Sequence, residues 1–150
     1  MNEINIRSAT INDISSILPL MSQLGYPSSI EELTARFSNF INIDGYGVAV
    51  ASLDNKIVGA IAWSKSILFV SDKTRIHVEA LIIDENYREQ KIGKKLMEYL
   101  EEIAKNYSPV IVDLTSGYRR AKDGTHAFYE NIGYKCGESA GAYFRKELYI

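Results

Sequence analysis

A chain of 150 residues with 46% apolar and 24% charged side chains has the size and composition of one globular domain able to bury a substantial core. Its net charge of -2 argues against a general nucleic-acid binder, which carries a clear basic excess. A single cysteine, Cys136, excludes an internal disulfide and a cysteine-rich zinc site.

Ile4 and Ile6 alternate with polar neighbours and read as a short strand. Thr10 is a plausible N-cap with Asp13 three residues on, and Ile14, Ile17, Leu18, Met21 and Leu24 follow at helical spacing up to a stop at Gly25. Pro27-Ser28-Ser29 opens a second helix through Leu33, Phe37 and Phe40, with Glu31 and Glu32 in its first turn, where the helix dipole favours acids. Strands over Gly47–Leu53 and Lys56–Phe69 are joined by Asp54-Asn55, a short hairpin signal. Thr74–Ile83 makes a third strand of that sheet. Ile92, Leu96, Tyr99, Leu100 and Ile103 form one face of a helix running to about Lys105. Pro109–Leu114 is a compact apolar strand, Thr125–Ile132 a helix ended by Gly133, and two strands near Tyr134–Cys136 and Ala142–Leu148 close the chain.

The order β-α-α-β-β-β-α-β-α-β-β puts antiparallel hairpins first and a parallel, right-handed strand–helix–strand unit after them. The fold class is therefore α/β, a mixed and mostly antiparallel central sheet with helices on both faces. No Pro/Gly/Ser-rich linker interrupts residues 1–150, which read as one domain. The amino terminus lacks the basic-then-apolar pattern of a signal peptide, and no apolar run approaches the ~20 residues of a membrane helix. A cytoplasmic enzyme or binding protein is expected, with no membrane and no nucleic-acid partner.

Ligands of such sheets gather beyond the carboxyl ends of the central strands, where residues 84–93 fall. There Gln90-Lys91-Ile92-Gly93 leads from strand into helix, and Arg88, Lys91, Lys94 and Lys95 cluster four cations. A helix N-terminus offers unpaired N–H groups and a partial positive charge, which makes it an anion site. Charge alone fits a solvated basic helix start equally well.

"LIIDENYREQKIGKKLMEYLEEI" resembles the acyl-CoA-binding signature of the GNAT superfamily of N-acetyltransferases, Arg/Gln-x-x-Gly-x-Gly/Ala. Arg88 matches its first position and Gly93 its last, while Lys91 replaces the middle glycine. "THAFYENIGY" resembles the second signature of that family, about 35 residues on with a strand between. The predicted element order agrees over essentially the whole chain. The resemblance implies acetyl transfer from acetyl-CoA to a primary amine of a small molecule, with no metal. Residues implied on the donor side are Leu81, Ile82, Ile83, Arg88, Glu89, Gln90, Lys91, Ile92, Gly93, Lys94, Lys122 and Phe128. Lysine at 91 enters a positive-φ conformation less cheaply than glycine, yet keeps its backbone donor unless the loop bends differently.

An alkyl ammonium with a pKa of about 10.4 must lose a proton before it attacks. Glu79 sits where several polyamine-type relatives carry a glutamate base. Regular alternation would place His77, Glu79, Leu81 and Ile83 on one face, opposite Val78, Ala80 and Ile82, with His77 the alternative base. The resemblance further implies a bulge near Leu81–Ile83 that frees a backbone N–H for the oxyanion, and Tyr129 as the acid that protonates the leaving thiolate. Acceptor-side residues implied are Tyr26, Trp63, His77 and Tyr118; the carboxylates Asp72, Glu79 and Asp123 could attract a cationic amine, and Arg119 and Arg120 could instead attract an acid. The resemblance also allows a homodimer through the last strands. Two other readings compete. A CoA-binding sensor without catalysis is favoured by Lys91 and opposed by Glu79 and Tyr129. A nucleic-acid module on residues 88–95 is opposed by net charge and by the lack of interleaved aromatics.

Overall fold

The computed structural model describes residues 3–115, 125–136 and 144–149. The chain falls into two compact units, Met1–Thr115 and Ser116–Ile150.

In the first unit five strands form one sheet in the order β1-β2-β3-β4-β5. They are β1 (Ile4–Ser8), β2 (Gly47–Leu53), β3 (Lys56–Ile67), β4 (Thr74–Ile83) and β5 (Val110–Asp113). The first four pair antiparallel and β5 pairs parallel to β4. The helices are α1 (Ile14–Leu24), α2 (Ile30–Ile41) and α3 (Ile92–Ala104).

Local chemistry sets the junctions. Asp54 and Asn55 take φ of 51° and 65°, the left-handed pair that a two-residue hairpin requires. Gly25 closes α1 at φ 104°, its N–H donating to the Ser22 carbonyl and that of Tyr26 to Met21. Ser29 caps α2 reciprocally: its Oγ accepts from the Glu32 N–H at 3.1 Å, and Glu32 Oε1 accepts from the Ser29 N–H at 2.9 Å. Ahead of α1, the buried Asp13 carboxylate accepts from both Arg7 Nη atoms (2.8 and 2.9 Å) and from the Thr10 N–H (2.8 Å). The Arg7 hydrogen bonds hold that carboxyl below its ordinary range.

Ile14, Ile17 and Leu20 of α1 and Leu33 and Phe37 of α2 pack on Val50, Ala60 and Ile82, so both helices cover one face of the sheet. The other face belongs to α3, which buries Ile92, Leu96, Met97, Leu100 and Ala104. Gly59 on β3 lets α3 come close: a methyl there would lie 3.1 Å from Ile92 Cγ2 and 3.2 Å from Ile83 Cδ1. Tyr99 and Ile103, expected on the core face of α3, are half-buried at its flank, and Met97 and Ala104 take the centre.

Two strand assignments also change. β3 ends at Ile67 rather than Phe69, because the apolar run continues into a turn in which Phe69 and Val70 are fully exposed. Tyr134–Cys136 and residues 144–148 form no strand among the described residues, since apolar alternation without a ladder partner does not make one; residues 142–143 lie outside the described residues. In the second unit, α4 (Thr125–Asn131) stops at Gly133 (φ 100°), with the Gly133 N–H bonded to Glu130 and the Tyr134 N–H to Tyr129.

Candidate active site

The site begins with an irregularity in β4. On β3, Ala62 pairs with Ala80 and the next residue, Trp63, pairs with Val78, so Glu79 is an extra residue opposite no partner. Backbone hydrogen bonds show the same insertion. The Thr74 N–H donates to Pro109, toward β5, whereas the Asp84 N–H donates to Val58 on β3. Ten residues apart, those two amides would point to the same edge of a regular strand. The bulge reverses the phase, so Ala80 and Ile82 turn their N–H groups to β3, and Leu81 and Ile83 turn theirs to the β5 edge. Pairing with β5 runs only from Thr74↔Val110 to His77↔Asp113. Two successive outward-directed amides thus follow the point where β4 leaves β5. The bulge expected near Leu81–Ile83 lies instead at Glu79, against β3, and it sets the direction of those amides.

The bulge also rearranges the faces. Ala80 and Ile82 belong to the α1/α2 side, with Ala60 and Val50. His77 pairs with Ser64, and Glu79 Oε1 accepts a 2.6 Å hydrogen bond from the buried Ser64 hydroxyl, so both lie on that side as well. Val78, Leu81 and Ile83 face α3. The alternation expected from sequence therefore holds for His77 with Glu79 and fails for Leu81 and Ile83, because one inserted residue moves the later positions to the opposite face. Glu79 is exposed despite its bond to Ser64.

Beside them, Asp113 bridges two side chains of β4. Its Oδ2 accepts from Arg75 Nε at 2.7 Å, and its Oδ1 lies 2.8 Å from His77 Nδ1. Neither Asp113 nor Arg75 was singled out by sequence, and Ser64 was not either. A polar residue closing the apolar run Val110–Asp113 was the only available signal.

The segment after β4 is built from the backbone. Asp84 is buried, and its side chain accepts from the Asn86 N–H at 3.0 Å while its carbonyl accepts from the Tyr87 N–H at 2.8 Å. Gln23, near the end of α1, accepts from the Glu85 N–H at 3.0 Å, tying this loop to the first helix. Lys56 lies over the Tyr87 ring at 5.1 Å. The loop then uses left-handed backbone twice without glycine, at Glu89 (φ 67°) and Lys91 (φ 63°). Lys91 is the N-cap of α3 and makes no side-chain capping bond, so the first amides of the helix, from Ile92 onward, have no partner within it. Arg88, Glu89, Gln90, Lys91 and Lys94 are exposed, while Ile92 and Gly93 are buried beneath them. The result is a ring of exposed side chains around the first N–H groups of α3, which have no partner within the helix, on an apolar anchor.

Other expected residues are more scattered. Ile82 is committed to the core, with its amide toward β3. Trp63 is buried and stands over Gly47, on the face opposite His77 and Glu79, so the structure does not bring it together with them. Tyr26, just past Gly25, is 66% exposed. In the second unit, Tyr129 packs edge-on to Phe128 (5.1 Å between centroids) and to Tyr134 (6.3 Å). Tyr118, Lys122 and the charges Arg119, Arg120 and Asp123 lie outside the described residues.

A strand that parts from its neighbour beside a carboxylate, followed by a positive-φ turn into a helix, coincides with a family match. Residues 44–136 match the model described as an acetyltransferase (GNAT) domain. The chain is a GNAT acetyltransferase. Among solved structures it is similar to a GNAT family acetyltransferase of Staphylococcus aureus, at 26% identity and a TM-score of 0.77 over 97% of this chain and 98% of that one. An acetyltransferase of Trypanosoma brucei is similar at 26% identity and a TM-score of 0.76, covering 97% and 100%. An aminoglycoside N-acetyltransferase in complex with CoA shares the fold at 14% identity and a TM-score of 0.83, covering 99% and 97%. No curated protein matches the chain. Within this GNAT domain, no helix among the described residues is long and apolar enough to cross a membrane.

Proposed function

We propose that the protein transfers an acetyl group from acetyl-CoA to a primary amine of a small molecule in the cytoplasm, by direct attack. One observation carries this reading: the Glu79 bulge places a carboxylate on one face of β4 and turns the Leu81 and Ile83 amides toward the edge that β5 has left. The family match spans residues 44–136, across both units, which supports one acetyltransferase domain over the chain.

In this reading the first amides of α3 and the Arg88–Lys94 side chains hold the pyrophosphate of CoA, a dianion suited to a helix N-terminus. Glu79 takes a proton from the acceptor ammonium. The Leu81 or Ile83 amide faces the oxyanion as the amine adds to the thioester; a donor held this way contributes about 3 kcal/mol. Tyr129, at its place in the second signature, protonates the departing sulfur; a phenol near 10 can donate to a thiolate whose acid is near 8.5. Tyr26, at the end of α1, borders the acceptor.

The test is free-thiol release from acetyl-CoA with a polyamine, glucosamine 6-phosphate, an aminoglycoside and a peptide amine, alongside acetyl-CoA titration by calorimetry. Binding with thiol release on at least one amine is expected. Absence of binding sinks the reading, and binding without release on any amine leaves a CoA-binding sensor in its place.

A further inference from the structure

His77 has two neighbours at the same nitrogen. Asp113 Oδ1 lies 2.8 Å from Nδ1, and Arg75 Nη2 lies 2.9 Å from it. A guanidinium only donates and a carboxylate only accepts, so one ring nitrogen cannot bond to both. If Nδ1 were a bare lone pair, it would face a carboxylate oxygen at 2.8 Å, two acceptors pressed together. With a proton on Nδ1, the same distance is a charge-assisted hydrogen bond. Arg75 Nη2 then has no acceptor at Nδ1, but the guanidinium keeps its Nε bond to Asp113 Oδ2 at 2.7 Å. Of the two contacts at Nδ1, the one to the carboxylate is the shorter and the charge-assisted one, which favours the ring proton on Nδ1 and leaves Nε2 as the nitrogen that exchanges a proton.

The position matters as much as the tautomer. His77↔Asp113 is the last paired step between β4 and β5, and His77 shares its sheet face with Glu79: one pairs with Ser64 on β3 and the other accepts from the Ser64 hydroxyl. Acetylation of an ammonium releases one net proton. The amine must shed two, and the thiolate takes up only one. That surplus proton needs a route away from the carboxylate that first accepts it.

We propose that His77 Nε2 receives the surplus proton from Glu79 and passes it to water, with Asp113 as the positioning residue that fixes the tautomer and Arg75 as the group that fixes Asp113. The step forms one N–H bond at Nε2 and breaks one O–H bond at Glu79, leaving the carboxylate ready for the next ammonium. This inference rests on the acetyltransferase reading for its chemistry, although the tautomer does not depend on turnover.

Asp113→Asn keeps the shape and changes the logic. Arg75 still demands an acceptor, so the Asn oxygen turns to Arg75 and its NH2 turns to Nδ1, driving the ring proton to Nε2. A wrong tautomer disables a proton-transferring histidine even when geometry is kept. Long-range 1H–15N spectra of 15N-labelled protein report the tautomer directly, and with only two histidines a His126→Gln variant completes the assignment. The expected result is the Nδ1–H form for His77 in the wild type and the Nε2–H form in Asp113→Asn. With the fastest amine of the panel, Asp113→Asn should lower kcat about 10-fold or more, with the acetyl-CoA KM changed less than about two-fold. A wild-type Nε2–H tautomer, or an Asp113→Asn enzyme with unchanged kcat, overturns the proposal. Failure of every amine to release thiol strikes the proposed function instead, because the wild-type spectrum requires no reaction.

Discussion

β4 and the loop after it both leave regular geometry within about fifteen residues, and they do so in opposite ways. At Glu79 the strand gains one residue, each neighbour keeps its ladder, and the consequence is directional: later side chains and amides change sides. At residues 88–91 there is no ladder, and the irregularity sits in backbone torsions, with Glu89 and Lys91 at positive φ. The bulge is held by cross-strand pairing on β3 and by the hydrogen bond from Ser64 to Glu79. The loop is held at its two ends, by Asp84 buried on one side and Ile92 on the other. The contrast teaches that side-chain chemistry should dominate at the bulge and backbone chemistry at the loop.

The largest effect expected follows from the first half of that statement. Glu79→Gln keeps an oxygen for the Ser64 hydroxyl and almost the same volume, so stability should stay within about 0.5 kcal/mol. Removing the proposed base should lower kcat about 100-fold or more. The pH–rate profile, measured with the best acceptor of the panel, should lose its acidic limb. An unchanged profile would show that the bulge serves the backbone alone, and the comparison would collapse to two backbone devices.

Sequence made the loop legible and the bulge invisible for physical reasons. Arg88, Gly93 and the periodic apolar face starting at Ile92 form a local pattern of charge, missing side chain and helix, and each part is readable along the chain. The two-residue turn at Asp54-Asn55 and the stops at Gly25 and Gly133 were readable in the same way. A bulge is a relation between strands: nothing in "HVEALII" marks which residue lacks a partner on β3. Regular alternation was therefore applied through residue 79, and it put Leu81 and Ile83 on the wrong face. The cluster Arg75–His77–Asp113 was hidden for the same reason, since Asp113 meets His77 only across the parallel β4/β5 pair.

The Arg7–Thr10–Asp13 corner adds a third way of holding irregular chain, through side-chain bonds alone. Asp13 is 7% exposed and accepts from Arg7 twice and from the Thr10 N–H. Asp13→Asn should cost about 1–3 kcal/mol by weakening these bonds, seen as a lower melting temperature at pH 7. The pH dependence has a definite sign. The folded-state carboxyl is held below its ordinary value of 3.8, chiefly by the Arg7 hydrogen bonds, so its stabilisation is complete above that value. It disappears as pH falls below 3.8 through the folded-state value, and the melting gap between wild type and variant should close there. A gap that persists to lower pH would mean the corner depends on shape rather than charge, and would place it with the loop.

The smallest effect tests the loop itself. Lys91 at φ 63° pays for left-handed backbone at about 1–2 kcal/mol, which glycine would avoid. Glycine costs about 0.4–1 kcal/mol in a freer unfolded chain. Lys91→Gly should therefore stabilise the fold by about 0.5–1 kcal/mol, or roughly 1–4 °C in melting temperature for a chain of this size. The backbone N–H stays where it was. What is lost is one exposed ammonium near the proposed phosphate site, worth up to about 1 kcal/mol. Calorimetry should show acetyl-CoA affinity weakened by less than about 5-fold. Abolished binding would mean that the Lys91 side chain, rather than the amides it leaves in place, holds the anion. The loop would then obey the side-chain rule of the bulge, and the distinction between the two regions would be lost.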